Sequence, residues 1–346
     1  MRHGAAFPTP GGLTFNSLPI FTEGVSGWGR RGAAMASLTY LSPVPWSDDL
    51  CSPQLPLASA CSAVPTWNPA GDAAFALDVR AHAGGAWTPW VPLANWSRRE
   101  RSSLNGRAPG IAVETDVVTL EAPGEALQLR LRDGDPSAVR AVALAAAHTQ
   151  SYAPSTQRDE HSVDLIVPRL TQYAREGERG WCSPTSLAMV MAYYARRFDR
   201  ADWRLDVPTV AARVYDARYG GTGNWAFNVA FAGSLGFTAF AAYLGDLEQA
   251  RCFLRKAMPL VISYSWGDDR LDGAPLARSE GHLAVLRGAT SQGDPILNDP
   301  AQPHIRTVYP RAQLERLWIE GSGGLCYVVV PHELAADALA LAGGHA

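Results

Sequence analysis

The hydrophobic pattern changes its period about halfway along the chain. From about residue 46 to residue 149, apolar and polar positions alternate over short runs separated by turn residues. Phe75, Leu77 and Val79 fall on one side of such a run and Asp78 and Arg80 on the other, and Gly84-Gly85 then supplies a hairpin turn. Leu127, Leu129 and Leu131 alternate with Gln128, Arg130 and Arg132 in the same way. Ile111 to Leu120 reads as one strand, with Val113 opposed to Glu114 and Val117 to Asp116. Further strands are expected at Cys61–Trp67, across Trp87–Trp96 and at Val139–Ala147. Many short strands at this spacing predict an all-β, antiparallel sandwich over 46–149, with one polar, half-solvated face. Residues 1–45, rich in Gly, Pro, Ser and Thr, read as an irregular lead-in with short strands at Leu13–Phe15 and Ala34–Leu41. The polar segment 150–164, with Arg158-Asp159-Glu160-His161, reads as a linker.

Beyond the linker the period lengthens to that of helices. Leu187, Val190, Met191, Tyr194 and Phe198 form one apolar stripe on a helix that opens at Trp181-Cys182-Ser183-Pro184. Ser183 suits its N-cap, Pro184 its first turn, and Arg196 and Arg197 its last. Helices are also expected at Val207–Arg218, Asn224–Leu235, Asp246–Lys256 (capped by Asp246) and Arg311–Trp318. Strands follow at Phe237–Leu244, Pro259–Ser265, Gly281–Gly288, Pro295–Ala301, Ile305–Tyr309 and Leu325–Val330. Helices first and closely spaced strands afterwards predict an α+β unit with an antiparallel sheet over 165–335.

Composition narrows the function classes. A net charge of -3 and a pI near 6.2 give no electrostatic case for nucleic acid or an anionic membrane. No run of 18 apolar residues exists, so no transmembrane helix is expected. Met1 to Asn16 has no apolar core of a signal peptide. Five cysteines are too few for a disulfide scaffold; Cys51 and Cys61 could close a small loop or stay unpaired. No zinc set or calcium loop is visible, so neither metal nor cofactor is expected. The tryptophans at 67, 87, 90 and 96 have two readings, stacking on a glycan or packing the sandwich.

One constellation carries chemistry. A thiol at a helix N-terminus meets positive partial charge, which favours the reactive thiolate. Nucleophilic use of Cys182 needs a base, an orienter for the base and donors for the developing oxyanion. His282 opens the strongest strand of the second half, and Asp299 ends the next one in Asn298-Asp299-Pro300. A short connection would set that carboxylate beside the imidazole. Gln172, ten residues before Cys182, can join the Cys182 N–H as oxyanion donor. Taken singly, each has a plain structural reading: a core cysteine, a core histidine, an Asp-Pro turn, a surface glutamine. Together, in the order Gln, Cys, His, Asp, they point to cysteine hydrolase chemistry. Trp181, Asn224 and Trp225 are candidate cleft walls or core residues. Asp268, Asp269 and Asp272 read as a solvated loop or as an acidic flap selecting basic peptides.

Residues 165–330 resemble the C39-like peptidase family, a branch of the papain-like cysteine proteases. The resemblance rests on Val167-Pro168 with Thr171-Gln172, Gly180-Trp181-Cys182-Ser183-Pro184-Thr185-Ser186, Gly281-His282-Leu283-Ala284-Val285 and Asn298-Asp299-Pro300-Ala301. It implies a papain-like fold with Cys182 as nucleophile, His282 as general base, Asp299 as its orienter and Gln172 as oxyanion donor. It also implies a peptide or cell-wall peptide substrate and a secreted or cell-envelope location in a bacterium, a cytoplasmic one being the alternative. The competing expectation is a catalytically retired scaffold that binds a glycan or a peptide.

Overall fold

The computed structural model describes residues 37–147, 161–175, 180–267 and 270–345. The expected strand at Leu13–Phe15, most of the linker, and Asp268 and Asp269 lie outside the described residues. The first half is built of β1 (Ser37–Leu41), β2 (Leu55–Pro56), β3 (Ser62–Pro69), β4 (Phe75–Ala83), β5 (Ala86–Trp87) and β6 (Val91–Trp96). Then come β7 (Arg101–Ser103), β8 (Arg107–Ala108), β9 (Ile111–Glu114), β10 (Val117–Leu120), β11 (Gly124–Asp133) and β12 (Val139–Ala147). The second half holds β13 (Val163–Asp164), α1 (Cys182–Arg197), α2 (Val207–Val214), α3 (Trp225–Ser234), β14 (Thr238–Tyr243) and α4 (Leu247–Arg255). It closes with β15 (Leu260–Trp266), β16 (Ser279–Ala289), β17 (Pro295–Asn298), β18 (Arg306–Val308), α5 (Arg311–Ser322), β19 (Leu325–Val330), α6 (Ala335–Leu341) and β20 (Gly344–His345).

Two sheets make the first half, in the orders β20-β1-β12-β3-β10-β9-β8 and β2-β11-β4-β6-β7. The pairs within the first half are antiparallel, and the alternation of β11 places Leu127, Leu129 and Leu131 inward as expected. Gly84 and Gly85, both at positive φ, turn the chain between β4 and β5. Two expectations fail here. Ile111 to Leu120 is a hairpin, not one strand: β9 and β10 pair antiparallel around the two-residue turn Thr115-Asp116. The turn inverts the expected facing, so Asp116 is buried and Val117 only half-buried. Nor is the first sheet half-solvated. All eight residues of β3 are buried, because α3 and β14 pack over the face that the sequence pattern leaves to water. The alanines of β12 (Val-Arg-Ala-Val-Ala-Leu-Ala-Ala-Ala) let that second layer approach closely. At the seam, Asn68 exchanges hydrogen bonds with the backbone of Ala239 and Arg140 donates to the carbonyls of Gly233 and Phe237.

The second half is α+β, with the antiparallel sheet β14-β19-β15-β16-β17-β18 and β13 on the flank of β16. The helices α1, α3 and α5 lean on this sheet. Asp206, Asn224 and Asp246 cap α2, α3 and α4 through their side chains, each accepting from the amide three residues on. The helix α2 stops at Val214, short of Arg218, because the chain turns at the Asp216–Gly221 bridge. More is buried around α1 than a stripe: every residue from Ser183 to Ala192 is buried, so the helix is enclosed rather than laid on a surface. Its cap position is held by Trp181, and Ser183 lies inside the first turn with its hydroxyl against the Tyr327 hydroxyl at 3.0 Å. Neither α6 nor β20 was expected; β20 returns the chain to the first half, parallel to β1. Cys51 and Cys61 are both free thiols, so the small loop stays open. Among the described residues, no helix is long and apolar enough to cross a membrane.

Candidate active site

Cys182 is the first residue of α1, half-exposed at the end of an otherwise enclosed helix. The first intrahelical bond runs from the Thr185 N–H to the Trp181 carbonyl, which leaves the earlier amides of the turn pointing outward past the thiol. Ser186, one turn in, donates to the Leu283 carbonyl at 3.1 Å and so fixes α1 beside the strand that carries His282.

His282 and Asp299 meet as the strand order predicts. β16 and β17 run antiparallel, joined by a tight turn at 290–294, and pair through Val285 and Asn298. The His282 Nε2 lies 2.8 Å from Asp299 Oδ1, which leaves Nδ1 for the thiol. Burial of the ring disfavours its charged form. The Asp299 carboxylate and the Cys182 contact outweigh that and push His282 up to about 10. Asp299 is fully buried, which alone would raise its carboxyl; the charge of His282 and hydrogen bonds from His282, Tyr309 and the Ala301 amide hold it below the ordinary range instead.

Three donors besides the imidazole serve that carboxylate. The Tyr264 hydroxyl donates to Oδ2 at 3.0 Å, the Tyr309 hydroxyl to the same oxygen at 2.7 Å, and the Ala301 N–H to Oδ1 at 3.0 Å. Tyr309 in turn accepts from Gln302 Nε2 at 3.0 Å. The rings of Tyr264 and Trp266 stand edge-on to His282, with centroids 5.5 and 5.6 Å away and interplanar angles of 86° and 88°. The imidazole is thus clamped in plane as well as bonded. Sequence reasoning missed both tyrosines, since Tyr264 sits in an apolar strand run and Tyr309 at a strand end. The pairing of β15 with β16 sets Tyr264 directly opposite His282, and only that register would have exposed it.

Gln172 reaches the site by way of the backbone. Its N–H donates to the Pro300 carbonyl at 3.0 Å, one residue past Asp299, and its side chain is buried. Asn298 secures the approach: its Nδ2 donates to the carbonyls of Val167 and Pro168 at 3.2 and 3.0 Å, and its Oδ1 accepts from Arg287 at 3.0 Å. Val167-Pro168, Gln172 and Asn298-Asp299-Pro300, scattered in the sequence, are therefore one packed strip. Trp181 is buried at the start of α1, and Trp225 is half-buried. Asn224 is enclosed, its amide divided between the Phe227 N–H and Asp216 Oδ2. Asp272 exchanges hydrogen bonds with Gln313. No group of metal-ligating side chains occurs among the described residues.

The tryptophans divide. Trp67 and Trp96 are core, packed edge-on to Phe227. Trp87 and Trp90 lie half-exposed on the outer sheet, where Arg80 covers both rings and Arg130 also covers Trp90, at 4.4 to 4.5 Å.

Residues 164–324 match the model of the Peptidase_C39 like family. No curated protein matches the chain. Among solved structures, a protein from Bacillus anthracis described as a C39-like peptidase aligns over 49% of this chain and 97% of its own, at 15% identity and a TM-score of 0.37. A double glycine motif protease from an AMS/PCAT transporter, solved with its leader peptide, aligns over 49% and 94%, at 20% identity and a TM-score of 0.31.

Proposed function

We propose, from the match of residues 164–324 to the model of the Peptidase_C39 like family, that this chain is a cysteine peptidase cleaving peptide bonds through Cys182, His282, Asp299 and Gln172. The observation that carries the reading is the buried His282–Asp299 pair, bonded at 2.8 Å on a strand that Ser186 ties to the helix opening at Cys182. In this mechanism His282 and Cys182 form an imidazolium–thiolate pair. The thiolate attacks the scissile carbonyl, and the oxyanion rests on the Cys182 N–H and the Gln172 side-chain amide. His282 then protonates the leaving amine, and a water activated by the same imidazole hydrolyses the thioester. Asp299 holds the ring orientation throughout, and a papain-like placement of helix against strand brings thiol and base together.

The two halves have different tasks in this account. Residues 165–335 form the peptidase unit, and the sheets of 46–149 support it. A glycan stacking on Trp87 and Trp90 would first have to displace Arg80 and Arg130 from the rings, so the ligand-free tryptophan faces expected of a glycan binder are not on offer.

The test is the alkylation rate of Cys182 with iodoacetamide, read by mass spectrometry, in the wild type and in His282→Ala. The proposal requires Cys182 to react faster than an unassisted thiol and to lose that advantage in the variant. A rate indifferent to His282 would remove the base from the mechanism.

A further inference from the structure

The turn that inverts Asp116 is strained. Thr115, a β-branched residue, is held at φ 58°, a region such side chains rarely enter, and its N–H is taken by Asn105 Oδ1 at 2.9 Å. The conformation delivers the Asp116 carboxylate into the other half of the molecule, onto the N-terminus of α3. There it accepts from the Trp225 N–H in a short hydrogen bond. Burial pushes the carboxyl up to about 7 in spite of this donor and with Asp216 nearby adding to the rise. A carboxyl raised on folding subtracts stability as the pH climbs from its unfolded value toward 7. Strain and a buried charge at one turn are the marks of a functional constraint rather than a stabilising contact.

What the turn holds leads to Cys182. A second strand of the first half, β7, lies along the segment that follows α2. The Arg101 carbonyl accepts from the Ala217 N–H at 2.9 Å, Arg101 Nη2 donates to the Ala212 carbonyl at 2.8 Å, and the Ser103 N–H donates to Asp216 Oδ1 at 3.1 Å. Asp216, fully buried, gathers the amides of Arg218 and Tyr219 and the Asn224 side chain. The loop so fixed carries Thr222, whose hydroxyl donates at 3.0 Å to the carbonyl of Gly180, two residues ahead of the thiol. It also carries Tyr219, whose phenol is raised to about 12 mainly by burial and then by the charges of Asp116, Cys182 and Asp216.

We infer that the N-terminal sheets are a positioning element of the active site: Asp116 and Ser103 fix the 216–224 loop, and Thr222 on that loop fixes the backbone that presents Cys182 to His282. This rests on the Cys182–His282 reading above. It assigns the first half a task inside the catalytic unit, so the two halves work as one enzyme rather than as an enzyme with an appended module.

The experiment uses the full chain and the His282-dependent part of the Cys182 alkylation rate, with a urea midpoint for each variant as the control for folding. Asp116→Asn keeps the shape and loses the charge on α3. Thr222→Val keeps the shape and loses the bond to Gly180. Each is expected to lower the His282-dependent rate about tenfold, less than the ~100-fold that a misplacement of about 1 Å costs. The double variant should fall no further than the slower single one, because both act along one chain of contacts. A folded variant that reacts like wild type, or losses that multiply in the double variant, overturns the inference. Should Asp116→Asn fail to fold, Thr222→Val decides alone, since it disturbs no buried charge. A wild-type rate equal to that of His282→Ala would bring down the base assignment and this inference together, whereas an intact wild-type advantage with unaffected variants sinks this inference only.

Discussion

Replacing Tyr309 by Phe removes one hydroxyl and leaves the ring. That hydroxyl donates to Asp299 Oδ2 at 2.7 Å in a site where the carboxylate is fully buried. A hydrogen bond to a buried charge contributes roughly 1.5–3 kcal/mol, against about 0.5–1.5 kcal/mol between neutral partners. Losing it raises the Asp299 carboxyl, since one of the donors that holds it down is gone. The sign of the pH dependence follows from the direction of the native shift. Asp299 is held below its ordinary range, so its contribution is present above the unfolded value near 3.9 and fades as the pH falls through the lower folded value. The penalty of Tyr309→Phe is therefore expected at its full ~1.5–3 kcal/mol near pH 7 and to shrink toward the neutral level at an acid pH below that folded value. Urea denaturation of both proteins at the two pH values measures it. A penalty of the same size at both would mean that Tyr309 only packs, and that the carboxylate does not depend on it.

Two further outcomes follow from the strip around Asp299. Gln172→Ala should lower kcat on a peptide substrate by about 10²–10³-fold, the usual effect of losing an oxyanion donor, while the alkylation rate of Cys182 stays near wild type. Asn298→Ala strips hydrogen bonds from the carbonyls of Val167 and Pro168 and from Arg287 in a buried site, and should cost about 2–4 kcal/mol by urea denaturation; a loss below about 1 kcal/mol would contradict the tie between this residue and the Gln172 segment.

Much of the site was legible because its chemistry sits on regular elements. A proline-bearing helix start marked Cys182, and two consecutive strands with a tight turn between them bring His282 to Asp299 almost automatically. Helix caps were equally plain where a side chain does the capping, as at Asp246. Ser183 was misjudged because a cap preference is local, whereas its hydroxyl is claimed by Tyr327 from a strand far along the chain. The same limit hid Tyr264 and Tyr309, which look apolar in sequence and become donors only once β15, β16 and the chain after β18 converge on Asp299. Asp116 was assigned to the solvent face because a period of two was carried through a turn that breaks it. The burial of β3 on both faces could not be read from its own residues, since the second cover comes from α3 and β14, more than 150 residues later.

The central claim is that the Cys182 thiolate, served by His282, breaks peptide bonds. The direct measurement is a digest of a mixed peptide library by the wild type and by Cys182→Ser, with products read by mass spectrometry. The account predicts cleavages with the wild type that vanish in the variant, together with a wild-type protein transiently heavier by an acyl fragment on Cys182. Cleavages that persist in Cys182→Ser, or a folded wild type that cleaves no peptide, would contradict it.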